Sequence, residues 1–203
     1  MSAPPKTILT TTAEEEAAIR AAVREARGLD PSRRLATPDD AAALAEFFSD
    51  PRVSDPIYSL PRPFTVANVR EWIAERLAKH ERGECILSLA FDADGRVGGY
   101  TEIDIWPDRA AGEIAGAVRA DRQNSGQGGV GMERTIDWMF EVLGIRLMCL
   151  TAALDNPRSQ KIIDAAGFVR MGGRDGVRPD GTVRPSVYWE MTREQWRARK
   201  AAG

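Results

Sequence analysis

Gln123-Asn124-Ser125-Gly126-Gln127-Gly128 is the stretch whose reading decides the fold. Ahead of it, residues 113–118 read as a strand. Behind it, residues 129–143 read as a helix, with Val130, Ile136, Met139, Phe140 and Leu143 at helical spacing. A glycine-rich turn that opens a helix can receive an anion. The N–H groups of the first helical turn have no intrahelical partner, and the helix dipole adds partial positive charge there. Glycine lets the backbone approach a phosphate that a Cβ would push away. The stretch therefore reads as a phosphate-cradling loop.

Three kinds of loop share this description. A Walker-type loop needs Lys and then Ser/Thr after its last glycine, whereas Gly131 is followed by Met132-Glu133. A dinucleotide fingerprint matches Gly126, Gly128 and Gly131 literally. Its first glycine closely follows a strand, however, and here residues 119–125 intervene. The third pattern, Gln/Arg-x-x-Gly-x-Gly/Ala, fits Gln123, Gly126 and Gly128 without adjustment.

The chain has 203 residues, enough for one domain with a real core. A formal net charge of −2 gives no basic field to attract nucleic acid. Basic residues do gather near the C-terminus (Arg193, Arg197, Arg199, Lys200), where they read as a solvated helix face. The two cysteines, Cys85 and Cys149, lie in strand-like runs and read as buried reduced thiols, with too few further ligands for a metal site. His80 is the lone histidine and sits among charges, so a Ser-His-Asp triad has little to build on. No apolar run approaches about 18 residues and no signal-peptide core opens the chain, so the expectation is a cytoplasmic protein without a membrane anchor.

Taken in order, residues 1–12 are Pro/Thr-rich and read as loose. Residues 13–27 read as a partly amphipathic helix, and 28–32 as a linker. Residues 33–36 read as a short strand, and Thr37-Pro38-Asp39-Asp40 as a helix start. Residues 50–63 hold four prolines and read as a functional loop. Thr65 opens a second helix. Strands follow at 85–91, 97–105 and 113–118, with Asp94-Gly95 as a hairpin turn, which gives an antiparallel meander. After the loop and its helix come a strand at 146–153, a helix from Asn156-Pro157, and a strand at 168–171. A ribbon with Asp180-Gly181 at its turn, a last strand at 186–191 and a short helix complete the chain. A meander followed by a strand-helix-strand crossover is not a doubly wound fold.

From about Arg33 to Trp196, this order resembles the GNAT family of N-acetyltransferases. The anchors are the 123–128 loop, Leu35-Ala36-Thr37-Pro38-Asp39-Asp40, Glu113-Ile114, Asp155-Asn156-Pro157-Arg158-Ser159 with Ala166-Gly167-Phe168, and Val187-Tyr188-Trp189-Glu190-Met191 with Gln195-Trp196. The last of these looks like the branch that acetylates ribosomal-protein N-termini at alanine or serine. The resemblance implies an α+β fold, a mixed central sheet with helices on both faces, with residues 33–203 as the acetyltransferase domain and 1–32 as an extension carrying a helix. It implies acetyl transfer from acetyl-CoA, without a metal, to a primary amine on a protein N-terminus or a small molecule. The alternative is a non-catalytic acyl-CoA-binding module on the same fold. The extra N-terminal helix is available for a homodimer contact.

The resemblance also assigns roles. Gln123, Asn124, Ser125, Gly126, Gln127, Gly128 and Gly129 hold the pyrophosphate, and Val118 offers its backbone N–H to the thioester carbonyl. Asn156 contacts the pantetheine arm, besides the helix cap its position suggests in any protein. Ser159 is either the acid that protonates the departing thiolate or a polar contact. Other branches place a tyrosine where this chain has Ile163. Glu113 is the candidate general base, with Glu102 and Asp104 as alternates on the preceding strand; attack with a water relay needs no single base. Residues 50–63 and 172–185 are expected to line the acceptor site. Tyr58, Trp106 and Tyr188 are its aromatic candidates, and Asp55, Glu102, Asp104 and Glu113 are acids suited to a cationic amine.

Overall fold

A computed structural model describes residues 4–30, 32–57, 59–123, 127–177 and 181–202. Its elements run α1 Ala13–Glu25, β1 Arg33–Leu35, α2 Ala41–Ser49, α3 Pro51–Ser54, α4 Val66–Glu81, β2 Cys85–Phe91, β3 Val97–Trp106, β4 Ala111–Val118, α5 Gln127–Glu141, β5 Leu147–Ala153, α6 Pro157–Ala165, β6 Val169–Gly173, β7 Gly176–Val177, β8 Val183–Arg184, β9 Ser186–Thr192 and α7 Arg193–Ala202. Local chemistry starts and stops many of them. Thr12, Thr65 and Asn156 each accept a backbone N–H in the first turn of α1, α4 and α6. Gly144 and Gly167 follow helices with positive φ, and Gly95 turns the β2–β3 hairpin the same way. Residues 50–63 are not the continuous loop their prolines suggest. Asp50 accepts the Arg52 N–H and Pro51 takes the first helical position, which is enough for the single turn of α3.

Seven strands form one sheet in the order β1-β2-β3-β4-β5-β9-β6, and β7 pairs with β8 as a separate ribbon. β1 through β4 are antiparallel neighbours. β4 and β5 run parallel, and β9 lies antiparallel between β5 and β6.

Each face of the sheet carries its own core. On one face α1, α5, α6 and α7 cover Ile86, Ile103, Ile105, Met148, Leu150, Trp189 and Met191. On the other, α2 and α4 cover Leu87, Leu89, Val97 and Tyr100, with Phe48, Trp72 and Tyr100 packed edge to face. The pleat continues this second face along Glu102 and Asp104, Glu113, Cys149 and Glu190, which are cross-strand partners. That half of the face is polar.

The N-terminal helix belongs to the body of the molecule. Ile19 and Val23 are buried, each contributing on the order of 1.5–3 kcal/mol. The apolar stripe α1 would offer a second copy is thus buried within its own chain. Gly83 fixes where α1 docks: its φ is +74°, and an added Cβ would lie 2.6 Å from the Arg20 backbone. Gly83→Ala is expected to cost about 1–3 kcal/mol and to loosen α1 first. Limited proteolysis within residues 1–26, faster than in the parent chain, checks this; unchanged cleavage with unchanged melting refutes it.

Residues 4–11 are not loose. Pro5 is buried. Lys6 and Thr7 donate their backbone N–H groups to Tyr188 and Glu190. Arg146 reaches the Thr10 carbonyl, and Thr11 donates to that of Asp108. A Pro-rich composition predicts missing internal hydrogen bonds, and here side chains from distant strands supply the partners instead.

Candidate active site

β4 and β5 share only three registered pairs: Ala111 with Leu147, Gly112 with Met148, and Glu113 with Cys149. Beyond them β4 continues to Val118 beside β3, and β5 continues to Ala153 beside β9. The two strands part, and a wedge opens between them with Glu113 at its apex. Arg119 donates to the Gly98 carbonyl on the β3 side. In an antiparallel ladder alternate residues turn their N–H and C=O groups to opposite edges, so Val118, Gly116 and Ile114 present theirs to the wedge.

At the open end, Gln123 ties the phosphate-type loop to both lips. Its Nε2 donates to the Val118 carbonyl at 3.3 Å, and its Oε1 accepts from Arg158 at 2.9 Å. Arg158 stands in the first turn of α6, which follows β5, so this bond spans the wedge mouth. Gln127, Gly128 and Gly129 are the first residues of α5, so the loop delivers directly into a helix N-terminus. Asn124, Ser125 and Gly126 lie outside the described residues. Asn156 caps α6 by accepting the Ser159 N–H at 3.2 Å. Ser159 is half-buried. Ile163 is buried in the core, so the place of the other branches' tyrosine carries no hydroxyl.

Glu113 is half-buried, and its Oε1 accepts from the Thr151 hydroxyl at 3.0 Å. Cys149 beside it is fully buried, and burial pushes its thiol well above the usual range; Cys85 behaves likewise. The alternates to Glu113 are differently placed. Glu102 is 2% exposed and bonded to Arg76 at 2.8 Å, while buried Asp104 faces Lys79 at 3.2 Å. Neither is open as the alternate base or acceptor-facing acid the sequence suggested, because α4 lays Arg76 and Lys79 over them. Ligand atoms of Cys85, Glu102 and Asp104 lie within 4.8 Å of one another. Two carboxylates already matched by two cations, beside a thiol held protonated, make a poor metal donor set.

The two segments expected at the acceptor site do meet. Arg184 of β8 donates to the Asp55 carbonyl at 3.2 Å and pairs with Asp155 at the start of α6. Together with Thr182 and Val183, these residues line a cavity of about 460 Å³. Tyr58 lies outside the described residues. Trp106 pairs with Ala111 at the closed end of β4, opposite the wedge mouth, and lines a separate hollow of about 240 Å³ with Arg20, Lys79 and Asp104. It does not line the Asp55–Arg184 cavity. Tyr188 lies on the polar face two residues from Glu190, to which its hydroxyl donates at 2.6 Å.

Two contributors escaped the sequence reading. Thr151 holds Glu113 through a strand pairing that cannot be read from spacing. Arg158 was visible beside a capping Asn156-Pro157 pair, where a first-turn side chain projects toward whatever the helix start faces.

A model of the acetyltransferase (GNAT) domain matches residues 33–169. YdaF of Bacillus subtilis (strain 168), provisionally named a ribosomal N-acetyltransferase, is 22% identical over 171 residues, covering 82% of this chain and 93% of that protein. The ribosomal-protein-S5-alanine acetyltransferase from Vibrio fischeri matches with a TM-score of 0.68 at 19% identity, over 81% of this chain and 93% of the other. Mycobacterium smegmatis RimJ in complex with CoA-disulfide gives 0.68 at 17% identity, over 84% and 88%. Likeness at this level of identity shows a shared fold.

Proposed function

The chain belongs to the acetyltransferase (GNAT) family, an enzyme family that transfers acetyl groups to amines, and from that premise we propose that its β4–β5 wedge binds acetyl-CoA and presents the thioester to a primary amine. The observation that carries the reading is the wedge itself: a parallel strand pair that stops at Glu113–Cys149 and opens onto a glycine-rich helix start. In this reading residues 123–129 receive the pyrophosphate, with Arg158 adding positive charge at the mouth. The pantetheine arm runs down the wedge, where β4 offers the N–H groups of Val118, Gly116 and Ile114. Asn156 and Ser159 stand on the opposite lip, and Ser159 is the candidate proton donor to the leaving thiolate.

Strand length refines the roles. Val118 is about 16 Å along an extended strand from Glu113, whereas Gly116 is about 10 Å away. A base at Glu113 and an oxyanion donor at Val118 are too far apart to serve one reaction centre. We therefore assign the thioester carbonyl to the Gly116 end of this edge, and Val118 to the arm. Gly116 has its own packing constraint, since a Cβ there would meet the Tyr100 carbonyl at 2.7 Å.

The acceptor amine loses its proton to Glu113, directly or through water, and attacks the thioester carbonyl. Backbone N–H groups stabilise the oxyanion, and CoA leaves. The domain that does this is 33–203, with 1–32 as an extension carrying a helix. The acceptor is a protein N-terminus or a small amine. Among the described residues no helix is long and apolar enough to cross a membrane, and buried thiols suit a cytoplasmic setting.

Thermal unfolding with acetyl-CoA, CoA, NAD and NADP tests the reading. At about a hundred times its dissociation constant a ligand adds roughly 2.7 kcal/mol, and each kcal/mol raises the melting temperature by about 2–4 °C in a domain this size. A rise of several degrees with acetyl-CoA and CoA alone is expected. A rise with NAD or NADP instead overturns the assignment.

A further inference from the structure

We propose that the polar groove over β9 is a binding track for an extended polypeptide, occupied here by the chain's own residues 4–8, and that polypeptide acceptors are read in it once that segment leaves. The inference rests on the acetyl-transfer reading for the word acceptor, but its observations are independent.

Each of four successive residues of the segment has one backbone group matched by a side chain. The carbonyls of Pro4 and Pro5 accept from Arg174 at 2.9 Å and Arg109 at 3.4 Å. The N–H groups of Lys6 and Thr7 donate to the Tyr188 hydroxyl at 3.1 Å and Glu190 Oε1 at 3.0 Å. Among the described residues no strand pairs with the segment; the side chains take the place of a neighbouring strand. Recognition of an extended backbone with pockets for alternate side chains is how sheet-edge sites hold peptides.

The side chains are read as well. Lys6 Nζ donates to the carbonyls of Met171 and Gly173 at 2.9 and 3.0 Å, and lies 5.2 Å from the centre of the Tyr188 ring. The Thr7 hydroxyl donates to Glu190 Oε2. The track thus selects a cation followed by a hydroxyl. Arg174 also stacks on the Tyr188 ring, at 4.1 Å from its centre.

The apolar anchoring that a permanent brace would need is sparse. Pro5 is buried, but Ile8 is 72% exposed. The contacts are polar and exchangeable, and an incoming peptide offers the same ones. The track also leads to the wedge. Cys149 is the register partner of both Glu113 and Glu190, so Glu190, which Thr7 contacts, lies two strand spacings from Glu113, roughly 10 Å. An extended peptide covers that in about three residues.

The test uses fluorescein-labelled Pro-Pro-Lys-Thr-Ile and fluorescence anisotropy, with the full chain and a chain lacking residues 1–9. The shortened chain is expected to bind the peptide at least tenfold more tightly than the full chain. Arg174→Ala in the shortened chain is expected to abolish that gain. The kcat/KM for a Lys-Thr peptide acceptor should rise about tenfold on shortening. Equal binding by both chains, or binding indifferent to Arg174→Ala, overturns the track. Should the shortened chain fail to fold, the full chain with Lys6→Ala and Thr7→Val takes its place, and no gain in peptide binding there refutes the proposal. An acetyl-CoA melting shift is recorded on every variant. Its absence beside intact peptide binding sinks the acetyl-transfer reading and keeps the track, while its presence without peptide binding does the reverse.

Discussion

Arg76→Met, in α4, is expected to lower the melting temperature by about 6–20 °C. The reason is the state it leaves behind. Arg76 and Glu102 are both buried and bonded at 2.8 Å, and Arg76 also stacks on Trp72 at 4.8 Å. Removing one member of a buried pair strands the other charge, at about 3–5 kcal/mol, and each kcal/mol is worth about 2–4 °C in a domain of this length.

The penalty depends on pH in a definite direction. Burial raises the Glu102 carboxyl above its ordinary value of 4.5, while Arg76 pulls it back down. A carboxyl raised on folding contributes stability that is full below its unfolded pKa and is lost as pH rises through the folded one. Without Arg76 the folded value climbs further, and Glu102 turns neutral over a wider range. The gap between the parent and Arg76→Met should therefore be smaller at pH 5 than at pH 8. A gap that is constant, or wider at pH 5, refutes the account. The double variant Arg76→Met with Glu102→Leu should recover most of the loss, because replacing a whole buried pair by apolar groups is often neutral.

This pair also marks the boundary of what the sequence disclosed. Helix starts at Thr65 and Asn156 and the hairpin at Asp94-Gly95 are local chemistry, and each was legible in a window of a few residues. The insertion of β9 between β5 and β6 is not local. It depends on which strand edges remain open after the meander and the crossover are placed. The same limit governs side chains. Glu102 and Asp104 alternate like a solvated strand face, yet α4, which precedes β3 in the chain, covers them with Arg76 and Lys79. Residues 4–11 have the composition of a tail, and their partners lie about 100 to 180 residues away.

The candidate site divides the same way. Its loop, the Asn156 cap and the position of Glu113 could be found because they sit in short motifs that resemble a family's. Thr151, which orients Glu113, and Arg158, which spans the wedge mouth, depend on strand register and helix direction. The proposal that moves the thioester carbonyl from Val118 to the Gly116 end depends on the extent of β4, since distance along a strand is what separates Val118 from Glu113.

Glu113→Gln is expected to lower kcat/KM for the acceptor amine by about 10²–10⁴-fold at pH 7, the range for losing a positioned general base. Gln keeps the size of Glu and an oxygen that can still accept the Thr151 hydroxyl, so the wedge keeps its shape. The acetyl-CoA melting shift should therefore survive unchanged, which separates a lost base from a damaged cofactor site. The pH profile carries the finer test. A protonated amine cannot attack, so in the variant the rate should climb with pH, about tenfold per unit, until the free amine itself titrates. The parent, with a carboxylate to take the proton, should reach its plateau at lower pH, and the two curves should converge in alkali. Thr151→Val, which removes the donor to Glu113 but not the carboxylate, should cost less than Glu113→Gln and leave the parent's profile shape. A loss below tenfold in Glu113→Gln, with no displacement of the pH profile, would mean that solvent alone relays the proton and that Glu113 only shapes the apex of the wedge.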